Sequence, residues 1–383
     1  MTDPRADLET QADQAAAAGD AATAARLLAQ AAEGSDQPGV WIKLSAMRRA
    51  SGDHAGALRA IDAALALAPL DLSALLARAF LLERAGDPHA PEAFLRAAAQ
   101  APVEGDPPPH LAKALDHAAR MAGVYKQTTF ERLENSLPPG IDTASKKRLD
   151  RFISNSAHLT RHFHQEPSHF HFPGMPEIEF HEPAQFDSLA ELEQATDTIR
   201  AEFEAVMAAE AAELVPYIQY PDRVPLRQWK ELNRNSDWTA IHLLRNGERV
   251  EANARHCPAT LGLLTRLPQP HVAGASPNAM FSLLAPHTHI PPHTGVANTR
   301  LVCHLPLIVP DDCGFRVGAT TRQWNVGEAF VFDDTIEHEA WNDSGELRVV
   351  LIVDLWAPAL SDDDRAGVAK VISALGVGFG GGI

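Results

Sequence analysis

The sequence is poor in cysteine. It has three in 383 residues, Cys257, Cys303 and Cys313, and no two of them form a CxxC pair. An odd number leaves at least one thiol unpaired, which favours a reducing compartment over a disulfide-stabilised secreted protein. We therefore interpret each cysteine as a small, buried apolar side chain.

Long apolar runs are also missing. No stretch reaches the roughly 18–20 apolar residues that a membrane-spanning helix requires. The first ten residues, MTDPRADLET, are acidic and polar, without the basic start and apolar centre of a signal peptide. These two absences predict a cytoplasmic protein without a membrane anchor.

Basic residues are outnumbered. The 33 Lys and Arg residues stand against 50 Asp and Glu residues, so the formal net charge is −17. An acidic surface repels phosphate groups, which argues against nucleic acid as a partner. Hydrophobic residues make up 45% of the chain, enough for two or three globular domains of ordinary size.

The first hundred residues contain a repeat. Gly-Asp pairs occur at 19–20, 52–53 and 86–87, and each lies between alanine-rich, helix-forming stretches. This pattern resembles the tetratricopeptide repeat, whose period is about 34 residues. We expect a TPR-like helical repeat over 1–125, with a last helix near 110–125. Such repeats usually bind a peptide or protein in a groove; the alternative is a helical spacer that binds nothing specific.

Residues 126–186 are predicted to be a linker or extension that packs on the following domain. The run RHFHQEPSHFHFPGMPEIEF contains His162, His164, His169 and His171. Alternating histidines can bind metal. No acidic or cysteine ligand completes a site at the usual spacing, so a loop or edge strand is the favoured interpretation.

Residues 187–383 are predicted to form the catalytic domain. A helix over 189–208 should begin with a capping box made by Ser188 and Glu191. From about Trp238 onward, short apolar segments alternate with turn residues, which is typical of a sandwich or barrel. The candidate strands are 237–243, 280–285, 298–309, 314–317, 328–333 and 346–356.

Two histidines in this region could share a metal ion. His293 and His338 are 45 residues apart, and each lies at a predicted strand edge or the adjoining loop. Non-haem iron oxygenases usually add a carboxylate two residues after the first histidine, but that position is Gly295. Either the metal has two protein ligands, or Asp333 or Asp334 supplies the third.

Several segments in order resemble the aspartyl/asparaginyl β-hydroxylase family. They are DWTAIHLLRNGERVEANARHCPAT, PHTG, TRLVCHLPLIVP, FDDTIEHEAWN and RVVLIVDLW, within roughly 180–360. The resemblance implies Fe(II), 2-oxoglutarate and O2 as the reacting partners, and a metal held by two histidines only. It also implies the fold class: multidomain α + β, with the N-terminal helical repeat followed by a double-stranded β-helix (jelly roll) with flanking helices.

The resemblance assigns roles to individual residues. His293 and His338 match the iron ligands, and Arg348 matches the arginine that binds the far carboxylate of 2-oxoglutarate. Further cosubstrate contacts are implied for Ser282, His304 and Trp238. Animal members have another arginine where this chain has Val302, and Arg300, on the same strand face, is the candidate replacement.

The implied reaction is hydroxylation of an Asp or Asn side chain at Cβ in a peptide or protein, and the TPR-like groove is the expected docking site of that substrate. A related branch of the family hydroxylates lipid acyl chains, which is the second interpretation. The third is a non-catalytic barrel, with the helical repeat acting as an adaptor.

Overall fold

The computed structural model describes residues 4–102, 107–209, 213–221 and 229–375. The chain divides into two units, 1–161 and 162–383.

The described part of the first unit is helical, and each helix packs on the next along the chain. Small alanine side chains let the helices approach closely, and many of them are fully buried, such as Ala24, Ala57 and Ala79. The helices are α1 (Pro4–Ala17), α2 (Ala21–Ala32), α3 (Pro38–Ala50), α4 (His54–Leu67), α5 (Leu72–Ala85), α6 (Ala90–Ala98), α7 (Ala112–Glu134) and α8 (Thr143–Ser156).

The first two Gly-Asp pairs lie where one helix ends and the next begins. Gly19 and Gly52 have φ of 81° and 89°, a left-handed conformation that glycine adopts without strain. The carboxylates of Asp20 and Asp53 then accept hydrogen bonds from the backbone N–H groups of Thr23 and Gly56. This satisfies donors that a helix start leaves free, and the predicted helical repeat is confirmed.

Helix α7 continues well past the predicted end at residue 125, because helix-forming residues follow without glycine or proline until Pro138. Helix α8 also lies in the first unit. The segment 126–186, expected to be one extension, is therefore divided: 126–161 belongs to the helical unit and 162–186 to the second unit.

The second unit contains two antiparallel sheets within its described residues. The larger has the strand order β1-β10-β7-β12-β5-β3-β2, with β4 paired to β3, and the smaller has the order β6-β11-β8-β9. The strands are β1 (Phe180–His181), β2 (Val215–Pro216), β3 (Trp238–Arg245), β4 (Glu248–Arg249), β5 (Ala279–Leu284), β6 (Thr288–His293), β7 (Arg300–Ile308), β8 (Cys313–Val317), β9 (Thr320–Arg322), β10 (Phe330–Phe332), β11 (His338–Asn342) and β12 (Arg348–Trp356).

The larger sheet is covered on both faces, so all nine residues of β12 are buried. One face packs on a cluster that includes residues of the helices α9 (Leu189–Gln194), α10 (Thr196–Ala208), α12 (Pro258–Leu264) and α13 (Asp362–Ala374). The other face packs on the smaller sheet through a second apolar cluster. The short helix α11 (Glu251–Ala254) follows β4. This two-sheet arrangement confirms the predicted jelly roll with flanking helices.

The helix predicted over 189–208 is interrupted at Ala195, which separates α9 from α10. The predicted capping box is wrong. The hydroxyl of Ser188 donates a hydrogen bond to the carbonyl of Arg266 at 3.0 Å and makes no capping bond. The hydroxyl is bonded to Arg266, 78 residues further along the chain, and the local sequence pattern does not reveal this partner.

Among the helices in the described ranges, none is both long and apolar enough to cross a membrane. All three cysteines are buried and free of disulfides, as predicted.

Candidate functional site

The two sequence-predicted metal ligands are direct neighbours across a strand pair. Strands β6 and β11 are antiparallel, and His293 and His338 are partners in their register. Side chains opposite each other in such a pair lie on the same face. The centroids of the two imidazole rings are accordingly 4.0 Å apart.

Both imidazoles are fixed by the backbone. Nδ1 of His293 lies 2.8 Å from the carbonyl oxygen of Pro291, and Nδ1 of His338 lies 3.1 Å from that of Ile336. A carbonyl only accepts, so each Nδ1 carries the proton and each Nε2 keeps its lone pair. This arrangement is typical of histidines that bind metal through Nε2.

Burial keeps both rings neutral. It is the largest cause that lowers the pKa of His293, to about 3, and the neighbouring His338 adds to the effect. Burial likewise lowers the pKa of His338 to about 4. Neutral imidazole is the form that coordinates a metal ion, so the pair is ready to bind one near pH 7.

The histidines open into a cavity of about 230 Å³ between the two sheets. Alternation along each strand explains its lining, since every second residue of β3, β5, β7 and β12 faces the smaller sheet. The cavity is lined by the predicted histidine ligands, by Arg348 and by the other predicted cosubstrate contacts: Trp238, Ser282, His293, Arg300, His304, His338 and Arg348.

Arg348, the first residue of β12, is 1% exposed. Its Nε and Nη2 atoms have no hydrogen-bond partner among the described residues, and its guanidinium carbon lies 4.3 Å from the ring centroid of Trp324. Burial lowers the pKa of Arg348 to about 9. A buried cation without a counter-ion is costly. An anionic ligand bound in the cavity would supply the missing counter-ion of Arg348.

Three of the predicted cosubstrate contacts surround the same space. The indole N–H of Trp238 donates to the hydroxyl of Ser282 at 3.1 Å. His304 lies among aromatic rings, and its Nδ1 has no hydrogen-bond partner in the described residues. Burial, followed by the charge of Arg348, holds the pKa of His304 well below its usual value. It is therefore a neutral ring beside a cation.

Arg300 lines the cavity too, but its charge is already balanced. Its guanidinium lies 3.0 Å from a carboxylate oxygen of Asp334 and 3.6 Å from one of Asp354. Burial alone would lower the pKa of Arg300, yet the two carboxylates outweigh it and the pKa is raised. Val302, where animal family members carry arginine, belongs to the apolar cluster between the sheets.

The two aspartates considered as a third metal ligand differ in position. Asp334 lines the cavity and fills the space beside Gly295, where an added Cβ atom would lie 2.1 Å from its Oδ2. Asp333 is not part of the lining. Its carboxylate accepts hydrogen bonds from the backbone and hydroxyl of Thr335, and burial raises its pKa to about 6.

Three further lining residues carried no signal in the sequence. Tyr217 stacks on Trp238 with ring centroids 3.9 Å apart, and Trp229 packs edge-on against His293 at 4.9 Å. Trp324 lies against Arg348, as described above. They come from different parts of the chain, so only the fold reveals that these aromatic residues enclose the cavity.

Residues 193–358, which supply almost all of this lining, match the family model described as Aspartyl/Asparaginyl beta-hydroxylase. This part of the chain belongs to that family. The resemblance found in the sequence is thereby confirmed, and the matched hydroxylase domain includes the cavity and every strand except β1.

Two relatives of the hydroxylase domain have named activities. The human aspartyl/asparaginyl beta-hydroxylase is 34% identical over 144 residues, which is 37% of this chain and 19% of the human protein. The ornithine lipid ester-linked acyl 2-hydroxylase of Rhizobium tropici is 35% identical over 184 residues, which is 47% of this chain and 61% of that protein. In both cases the match covers less than two thirds of the relative.

Among solved structures, the Sgt2 TPR domain from Aspergillus fumigatus is similar over 38% of this chain and 95% of its own length. The identity is 20% and the TM-score 0.28. A score this low carries no argument, and the helical repeat here is defined by its own helices.

Proposed function

We propose that the hydroxylase domain is Fe(II)- and 2-oxoglutarate-dependent, with iron bound by His293 and His338 and with 2-oxoglutarate anchored by Arg348. The observation that carries this proposal is the buried guanidinium of Arg348. It has Nε and Nη2 donors without described partners, in the cavity that also contains two neutral imidazoles.

The residues fit a ferrous ion. Imidazole is a good ligand for iron, and both rings are neutral, adjacent and oriented through Nδ1. Asp334 is the carboxylate beside them, but it is engaged with Arg300. We therefore assign two protein ligands to the metal, which leaves coordination positions for the cosubstrate and oxygen.

The residues also fit 2-oxoglutarate. A guanidinium presents a planar pair of N–H donors that matches a carboxylate in two parallel bonds. The far carboxylate of the cosubstrate would neutralise Arg348 and use its unpartnered donors. Ser282 and the neutral ring of His304 are the neighbouring polar groups, and Trp238 forms a wall.

Once bound, iron and 2-oxoglutarate would supply the oxygen-dependent chemistry that hydroxylates a C–H bond. The chain itself binds the reactants, orients them and shields them from water. Arg348 and the two histidines fix the reactants relative to one another. The aromatic rings of Tyr217, Trp229 and Trp238 line the cavity and exclude water from it.

For the substrate, we propose an Asp or Asn side chain of a peptide or protein, hydroxylated at Cβ. The family match supports it, and so does the helical repeat, since such repeats commonly bind peptides in a groove.

A lipid acyl chain is the second candidate. The Rhizobium tropici acyl 2-hydroxylase shares a longer matched segment with this chain than the human relative does. Val302 adds an apolar side chain to the lining of the cavity, which suits the hydrocarbon of an acyl chain.

The test of the activity is succinate formation by the purified chain with Fe(II), 2-oxoglutarate and oxygen. We expect turnover in the unaltered chain, none in His338→Ala, and a much higher 2-oxoglutarate requirement in Arg348→Ala. Arg266→Ala is the matched control, because that side chain is half exposed and pairs with Glu191 at the surface. Absence of iron binding and of turnover in the unaltered chain would refute the proposal.

The test of the substrate uses the same full-length chain. It is offered a library of Asp- and Asn-containing peptides, and separately an ornithine lipid in detergent. Mass spectrometry then seeks the addition of one oxygen atom. An oxygen atom added to an Asn or Asp residue of a peptide supports the peptide substrate. An oxygen atom added only to an acyl chain supports the lipid substrate.

A further inference from the structure

A second group of potential metal ligands lies outside the cavity. His162, His164 and Glu177 each offer one ligand atom, and these atoms all lie within 4.8 Å of one another. His162 and His164 are two residues apart, in a segment outside helix and strand. Their ring centroids are 4.2 Å apart.

The carboxylate contacts both rings. One oxygen of Glu177 lies 3.4 Å from Nε2 of His162, and the other lies 3.1 Å from Nδ1 of His164. Ligand atoms around a tetrahedral zinc ion with bonds of about 2.0–2.1 Å are about 3.3 Å apart. The two imidazole-to-carboxylate distances are close to this spacing, and all three donor atoms lie within 4.8 Å of one another. The side chains of His162, His164 and Glu177 are 54%, 66% and 31% exposed, which leaves room for water ligands.

The sequence did not reveal Glu177 as a partner. It lies 13 residues beyond His164, after the turn at Pro173 and Gly174, where Gly174 has a φ of 76°. The turn folds the chain back on itself. The sequence argued against an acidic ligand at the usual spacing, and Glu177 reaches the histidines from farther along the chain.

The cluster is joined to the loop that leads to His338. The backbone N–H of Gln165 donates to Glu177 at 3.1 Å, and the side-chain amide of Gln165 donates to Asp333. The next backbone N–H, of Glu166, donates to the carbonyl of Thr335 at 2.7 Å. The segment between the two histidines and Glu177 therefore lies against residues 333–336.

We propose that His162, His164 and Glu177 bind one divalent transition-metal ion of the zinc class, separate from the ion in the cavity. Two imidazoles and a carboxylate favour Zn²⁺, Ni²⁺ or Cu²⁺ over Mg²⁺ and Ca²⁺, which prefer oxygen ligands. The ion cross-links both ends of the segment 162–177. It thereby secures that segment against the loop preceding His338.

The test is a zinc titration of the full chain against a chromophoric chelator. In a variant with His293→Ala and His338→Ala, which removes the cavity ligands, we expect one equivalent of zinc to remain bound. Adding His164→Ala should weaken that binding by roughly tenfold or more. His171→Ala, an exposed histidine of the same run, is the matched control and should leave it unchanged.

Two results would overturn the proposal. One is no zinc binding by the cavity variant; the other is equal loss in His164→Ala and His171→Ala. Should the cavity variant fail to fold, the unaltered chain gives the same contrast, because it should bind one equivalent of zinc more than Glu177→Gln does. That substitution keeps the size of an exposed polar side chain. Because no turnover is measured, the result is independent of the activity proposed for the cavity.

Hydrogen exchange tests the link to the loop. Zinc should slow exchange of the Glu166 amide, which is bonded to Thr335, and should not do so in Glu177→Gln. Unchanged exchange in the presence of bound zinc would contradict the cross-link.

Discussion

The two buried arginines of the cavity lie at opposite ends of the β7–β12 ladder and differ in whether a carboxylate balances their charge. Arg300 begins β7 opposite Trp356, the last residue of β12, whereas Arg348 is the first residue of β12. Arg300 is neutralised by Asp334 and Asp354. Arg348 has the ring of Trp324 beside it and no ion-pair partner among the described residues, although each guanidinium has two nitrogens without a hydrogen-bond partner there.

The contrast separates structure from ligand binding. At the Arg300 end the guanidinium has its counter-ions within the protein, so that end links β7 and β12 to the loop that precedes β11. At the Arg348 end one positive charge is left for a ligand, and aromatic rings strengthen its field by excluding water. The histidine pair lines the same cavity.

Arg300→Ala tests the structural end and should have the largest effect on stability. It leaves the carboxylates of Asp334 and Asp354 buried without their counter-ion, which costs about 3–5 kcal/mol. Urea unfolding of the unaltered and variant chains measures the difference. A loss below about 1 kcal/mol would show that water reaches these carboxylates, and the contrast between the arginines would fail.

Arg348→Ala tests the ligand end. It should weaken 2-oxoglutarate binding by about 2–5 kcal/mol, because a carboxylate then enters the cavity without its cation. Its stability without ligand should stay close to that of the unaltered chain or exceed it, since an uncompensated buried charge is removed. Isothermal titration calorimetry with 2-oxoglutarate measures the change in binding, and urea unfolding measures the change in stability. A loss of stability as large as in Arg300→Ala would make Arg348 a structural residue.

Gly295→Ala tests how closely Asp334 is held. The new Cβ would lie 2.1 Å from Oδ2 of Asp334, so the carboxylate must shift away from Arg300. We expect a loss of about 1–3 kcal/mol in unfolding free energy. Gly345→Ala is the matched control, because an added Cβ there has no neighbour within 4 Å. Equal effects of the two substitutions would show that Asp334 is free to move.

Much of the Arg348 end could be predicted from the sequence, because it rests on contiguous strands with long apolar runs. The strands β7 and β12 and the residues His304 and Arg348 lie in segments of that kind. The strands β6 and β11 were not predicted. Their sequences, THIPPH and HEAWN, are short and do not alternate polar and apolar residues, so no period of two identifies them as strands. The sequence predicted that His293 and His338 share a metal ion, but it did not predict that they are partners in the register of two paired strands.

The Arg300 end could not be predicted, because its contacts join residues far apart in the chain. Asp334 and Asp354 follow Arg300 by 34 and 54 residues, and neither spacing identifies an ion pair. The sequence suggested Arg300 as a substitute for the arginine missing at Val302. The two carboxylates that pair with Arg300 become evident only in the folded chain, where β7, β12 and the loop before β11 meet.

The smallest expected effect concerns His304, the neutral ring beside Arg348. Its pKa is lowered in the folded chain, whereas an unfolded histidine takes up a proton below about pH 6.5. The unfolded state therefore binds more protons as the pH falls, and stability is lost below about pH 6.5. His304→Phe removes this contribution and keeps an aromatic ring among Phe315, Phe330 and Phe332. Between pH 6.5 and 5.5 the unaltered chain should lose about 1 kcal/mol more than the variant in urea unfolding. Identical pH profiles would mean that His304 titrates normally, and hence that water reaches the Arg348 end of the cavity.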